Sequence, residues 1–202
     1  MKRFLILLVI ISMFSTASVF ADTLNLTTLP ANTAGGYYVG AVGGNVNDGA
    51  PMSFFCDDFS TTTYVPSSFG VNISTIPSLG SAKWGNDAAP LFKYEEAAWL
   101  ISQMALNPDD VGPIQYAIWN IFYPAANDLS GQEIWIARAQ GIDPASYDFS
   151  SVRIYTASNT LNQEFMSGGD APVPEPATVF LVGSGLLGVA WFGRKFKKQC
   201  SV

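Results

Sequence analysis

Two apolar segments, one near each end, decide how much of this 202-residue chain is free to fold as a water-soluble body. At the amino end Lys2 and Arg3 precede the apolar run Phe4 to Phe14. Ser12, Ser15 and Thr16 break that run, and Val19-Phe20-Ala21 follows as a cleavage-site pattern. This is the layout of a signal peptide over residues 1–21, which predicts export and a mature chain starting at Asp22. At the other end an apolar run from Ala177 to Gly193 is followed by Arg194, Lys195, Lys197 and Lys198. As a helix that run would span roughly 25 Å, enough for a bilayer core, and the basic cluster would hold its tail on the cytoplasmic side. What remains is residues 22–166, room for one domain with a real core, and a flexible linker at 167–172, Ser-Gly-Gly-Asp-Ala-Pro.

Charge and residue types then narrow what this body can do. Between Asp22 and Ala171 there are 15 acids against Lys83, Lys93, Arg138 and Arg153, a net charge near −11. Such a surface repels phosphate backbones, so nucleic acid is not expected as a partner. The chain has no histidine. That removes Ser-His-Asp and Cys-His nucleophile pairs and the commonest zinc ligand, so neither a metal nor a cofactor is expected, and the protein does not read as an enzyme. Of the two cysteines, Cys200 lies in the basic tail, which leaves Cys56 without a disulfide partner in the exported body. An unpaired thiol in an oxidising compartment is buried, joined to another chain, or chemically engaged.

Periodicity places the elements. Gly36 to Val42 reads as a strand, Asn45 to Ala50 as a polar turn with Asp48-Gly49, and Met52 to Phe59 as a second strand carrying Cys56. Thr61 to Val65 and Val71 to Ile73 suggest further short strands, confined by Pro66 and Pro77. A helix follows Pro90, with Leu91, Tyr94, Ala98, Ile101 and Ala105 on one stripe, and stops at Asn107-Pro108. In the next helix Pro113 fits the first position and Ile114, Ala117, Ile118, Ile121 and Phe122 form the apolar stripe, so Gln115 falls in the first turn. Ser130 and Glu133 have the spacing of a capping box for a third helix ending at Gly141. Strand character returns at Ser151 to Thr156 and Gln163 to Met166. Strands, about three helices, then strands predict an α+β domain, a sandwich- or barrel-like sheet with an inserted helical subdomain.

The carboxyl-terminal ending, Val173-Pro174-Glu175-Pro176 before the apolar run and the basic cluster, resembles the PEP-CTERM sorting signal of Gram-negative bacteria over residues 173–198. The resemblance implies an exosortase-type membrane protease as partner and transient anchoring in the inner membrane by the carboxyl-terminal helix. The helix would then be removed, leaving the protein at the surface or in the extracellular matrix of bacteria that build exopolysaccharide and biofilm.

Phe55-Cys56-Asp57 and Ile114-Gln115-Tyr116-Ala117-Ile118-Trp119 resemble the two signature segments of the thioester domains of bacterial surface adhesins, from about Tyr37 to Phe165. That resemblance implies an intramolecular thioester between the Cys56 thiol and the Gln115 side-chain acyl group, formed with loss of ammonia. Such a bond acylates an amine or hydroxyl because sulfur donates its lone pair poorly to the carbonyl. It also needs shelter from water, for which Phe54, Phe55, Phe59, Tyr116 and Trp119 are the candidates, and donors at the developing oxyanion, for which free N–H groups of a first helical turn would serve. Asp57 and Asp58 read as acids at a strand end or turn. The alternative function is a non-covalent structural or carbohydrate-binding component of the matrix, with Trp84 or Tyr64 as stacking platforms.

Overall fold

A computed structural model describes residues 22–126 and 129–168. The signal peptide, the sorting motif with its apolar run, and Cys200 lie outside those residues. Six strands close into an antiparallel barrel: β1 (Asp22–Thr28), β4 (Val42–Val46), β5 (Met52–Cys56), β8 (Phe165–Ser167), β7 (Arg153–Ala157) and β6 (Ser67–Thr75), in that order around the wall. A separate two-stranded ribbon pairs β2 (Asn32–Ala34) with β3 (Tyr37–Val39). Three helices, α1 (Pro90–Leu106), α2 (Val111–Phe122) and α3 (Gln132–Gln140), lie between β6 and β7 in the chain and pack as one block. The α+β expectation and the strand–helix–strand order hold, with the sheet closed into a barrel.

Several expected boundaries move, each for a local reason. The strand drawn over 36–42 is two strands broken at Gly40, whose φ of 92° lies in the left-handed region that glycine enters without steric cost. The hairpin between β4 and β5 turns on Val46-Asn47-Asp48-Gly49: Asn47 and Asp48 have φ of 52° and 57°, and the Gly49 N–H donates to the Val46 carbonyl at 2.9 Å. Two successive positive φ values give the turn the twist that flanking strands need. The strand expected to run to Phe59 ends at Cys56, and Thr61 to Val65 forms no strand. Ser167 is buried in β8, so the domain extends past 166 and the linker does not start there.

The helices follow their punctuation less uniformly. Pro90 opens α1 and Asn107-Pro108 closes it as expected, with Tyr94, Ala97, Ala98, Ile101 and Met104 buried, while Leu91 and Ala105 are exposed. Helix α2 begins two residues before Pro113, directly after a 3-10 turn at Pro108–Asp110, which makes Gln115 its fifth residue rather than a member of its first turn. The capping box at α3 does not form. Gly131, with φ of 95°, takes the cap position, and the Glu133 carboxylate accepts from the Gly131 N–H at 3.1 Å.

Two apolar cores share the strands β5, β7 and β8. Phe54, Cys56, Tyr155 and Phe165 point to the barrel interior with Leu24, Leu26 and Val71, whereas Phe55, Ile154 and Met166 point the other way, against the helices. That is the two-residue alternation of a strand buried on both faces. Helix α2 serves both: Ile114, Ala117 and Ile118 join the helical core, and Tyr116 and Trp119 join the barrel core. A helix buried all round its middle turns brings Gln115, 1% exposed, against the barrel.

Candidate functional site

Cys56, the last residue of β5, is 8% exposed and lies between Phe165 on β8 and Trp119 on α2. The Gln115 carboxamide reaches it directly. Its Nε2 donates to the Cys56 main-chain carbonyl at 2.6 Å, the Trp119 indole N–H donates to the same oxygen at 3.1 Å, and the Gln115 Oε1 accepts from the Gly40 N–H at 3.3 Å. The Gln115 side chain thus meets the Cys56 backbone across 59 positions of sequence, a helix against a strand end, and both residues line one cleft. The oxygen's donor is different from the one expected. It is a backbone N–H from the kinked segment after β3, not from the first turn of α2, because Gln115 sits too far into the helix.

Gly40 has a structural reason to be glycine beyond its φ: a Cβ there would lie 2.9 Å from the Val111 side chain. Sequence reasoning passed over Gly40, although a lone glycine inside a strand pattern is the usual mark of a bend or a close approach.

The Cys56 thiol donates to the Asp58 carbonyl at 3.3 Å. Burial, then the carboxyl groups of Asp57 and Asp58, push its pKa far above the ordinary thiol range, so the free residue stays protonated. Asp57 and Asp58 follow directly on the end of β5, as expected of strand-end acids. Both are fully buried. Asp58 pairs with the Lys83 ammonium at 2.5 Å and accepts from the Ser60 N–H and hydroxyl at 3.0 and 2.7 Å. Asp57 lies next to Glu164, the residue before Phe165, because Cys56 pairs with Phe165 across the antiparallel ladder. Glu164 collects donors from the Tyr94 hydroxyl at 2.5 Å, the Lys83 N–H at 2.7 Å and the Thr156 hydroxyl. Among the described residues no donor reaches either Asp57 oxygen. Burial first, then Glu164 and Asp58, raise the Asp57 pKa well above the carboxylate range, and burial also raises that of Glu164. Glu164 was missed in the sequence, where one acid in the short strand pattern Gln163 to Met166 was its only signal.

A cleft of about 180 Å³ opens onto Cys56 and Gln115. Tyr37, Tyr38, Phe59 and Trp119 form one side, Thr61, Thr62, Thr63 and Gln163 another, and none of its 16 lining residues is charged. Tyr37 meets Phe59 and Trp119 edge-on at ring separations of 5.2 and 6.0 Å. Of the residues expected to give shelter, Phe59 and Trp119 line the cleft, and Phe54 and Tyr116 belong to the barrel core beneath it. Phe55 faces the helical core and shelters nothing here. Trp84 is not an exposed platform, since it stacks on Phe122 at 6.0 Å, whereas Tyr64 is 81% exposed.

The PEP-CTERM protein-sorting motif matches residues 172–195, so the chain carries a signal that implies export, membrane-associated sorting and handling by an exosortase membrane enzyme. No curated protein matches the chain. Similar solved structures include the N-terminal thioester domain of the fibronectin-binding protein SfbI from Streptococcus pyogenes, 12% identical, with a TM-score of 0.45, covering 78% of this chain and 97% of that one. Another is the N-terminal thioester domain of a surface protein from Clostridium perfringens, 10% identical, with a TM-score of 0.46 and coverage of 73% and 98%.

Proposed function

We propose that this exported, exosortase-sorted protein attaches itself covalently to a surface or matrix target through a thioester between Cys56 and Gln115. The observation that carries the reading is the meeting of the Gln115 carboxamide with Cys56 in a shared, uncharged cleft, its oxygen held by the Gly40 N–H and its nitrogen by the Cys56 carbonyl. In forming the bond the sulfur attacks the carboxamide carbon, the C–N bond breaks, and the thiol proton leaves with the nitrogen as ammonia. The Gly40 N–H is a fixed donor for the oxygen that gains charge on the way. A target amine or hydroxyl then takes the acyl group and returns the thiol. Each protein reacts once, so this is attachment chemistry without turnover. Exosortase-type cleavage after Pro174-Glu175-Pro176 would free the body from its membrane helix, leaving it at the cell surface or in the matrix.

Intact mass tests the bond. Processed protein purified from an exporting host should weigh one ammonia less than its sequence. Methylamine should add at Gln115 and free the Cys56 thiol, and Cys56→Ala should abolish both effects. Full sequence mass with an alkylatable Cys56, in protein never exposed to amines, would sink the reading.

A further inference from the structure

The cleft over Cys56 and Gln115 is unusual for an acidic protein in holding no charged side chain at all. The nearest cation, Lys83, is spent on Asp58, Ser60 and Thr61. Tyr37 and Tyr38, 41% and 53% exposed, stand at its mouth and present ring surface. Across from them are neutral hydrogen-bonding groups: the Thr62 side chain, exposed at the rim, and the Gln163 carboxamide, which is held by the Thr63 N–H at 3.2 Å and donates to the Asp58 carbonyl at 2.7 Å.

Resting on the thioester reading, we infer that the acceptor is a neutral polysaccharide, and that the bond made is an ester from the Gln115 acyl group to a sugar hydroxyl. A pyranose ring has an apolar C–H face for aromatic side chains and an edge of hydroxyls for threonine and carboxamide groups, the two surfaces this cleft offers. A lysine would have to bring its ammonium into a site with no carboxylate to receive it and no base to deprotonate it, and burying an unpaired charge is unfavourable. The acidic body, near −11, in turn disfavours uronic or sulfated polymers.

The step balances without an added base. The hydroxyl oxygen attacks the thioester carbon, the C–S bond breaks, the C–O bond forms, and the hydroxyl proton passes to the departing Cys56 sulfur. That sulfur is suited to take it, because the buried thiol holds its proton far more tightly than an ordinary cysteine.

The test offers the processed protein a neutral glucan oligosaccharide and a lysine-containing peptide at equal concentration. Adducts are read by intact mass and by treatment with alkaline hydroxylamine, which cleaves oxygen esters and spares amides. A hydroxylamine-labile glycan adduct on Gln115 should exceed the peptide adduct by about tenfold. Thr62→Asp, which sets a carboxylate at an exposed rim position, should swing that ratio toward the peptide. Starting protein that lacks one ammonia yet forms only the stable peptide amide would overturn this proposal alone, as would a ratio unmoved by Thr62→Asp. Starting protein at full mass would overturn both this proposal and the thioester itself.

Discussion

The two sides of the β5 end differ as sharply as any neighbouring regions of the molecule. On the side of the Cys56 side chain lies the cleft, with aromatic rings, threonines and carboxamides and no charge. On the other, one residue further along, lie Asp57, Asp58, Glu164 and Lys83, carboxyl groups and an ammonium packed without exposure of either aspartate. Alternation sets the Asp57 side chain opposite that of Cys56, and the Asp58 carboxylate, past the end of β5, is held by Lys83 and Ser60. For the proposed thioester the separation would matter, because a carboxylate beside such a bond would attack it or activate water against it.

The comparison breaks most completely if charge is moved into the cleft. Gln115→Glu should eliminate ammonia loss and methylamine uptake altogether by intact mass, because a carboxylate is a poor acyl donor. Next comes the charged side. Lys83→Met leaves Asp58 buried with only the Ser60 donors, and should cost about 2–3 kcal/mol in denaturant unfolding, toward the low end of such losses because Lys83 is partly exposed. Gly40→Ala disturbs the cleft side through its backbone. It should cost about 1–2 kcal/mol from the positive φ and the contact with Val111, and should slow ammonia loss, since the donor to Gln115 Oε1 shifts.

The smallest effect sharpens the contrast through pH. Asp57 and Glu164 hold their protons above the ordinary values of 3.8 and 4.5 in the folded state, so their contribution to stability is complete below that range and is lost as pH rises through the folded values. Unfolding free energy should fall with rising pH in this window, by up to about 1.4 kcal/mol per pH unit for each proton retained. Asp57→Asn, which puts a neutral amide in place of the titrating carboxyl group, should flatten that slope. An equally steep profile in the variant would place the titration elsewhere.

How much of this was legible depends on the range over which each signal acts. The helices α1 and α2 were readable because proline and asparagine stops and a buried stripe are local. The pairing of Cys56 with Gln115 was readable only through the two short segments that resemble a known domain, since nothing in either segment alone points 59 residues away. The start of α2 was misjudged because a 3-10 turn leads into it, and a proline three residues in is compatible with either reading. Asp57, Asp58 and Glu164 were illegible as a group: the strand-end place of the two aspartates was readable, but Lys83 and Tyr94, which meet Asp58 and Glu164, come from elsewhere in the chain. The Thr61 to Val65 stretch has strand composition and no strand partner, and composition cannot report the absence of a neighbour.

The position of β8 in the barrel sets a schedule. Strands β7 and β8 are the last to be made, yet they insert between β5 and β6, so a chain emerging amino end first must leave β5 as an open sheet edge until nearly all of the described body is out. Until then Phe165 cannot cover Cys56, and Gln163, 100 positions beyond its partner Thr63, cannot complete the cleft. Under the proposed thioester chemistry, ammonia loss would wait for β8 to close over Cys56, late in translocation and just ahead of the sorting motif.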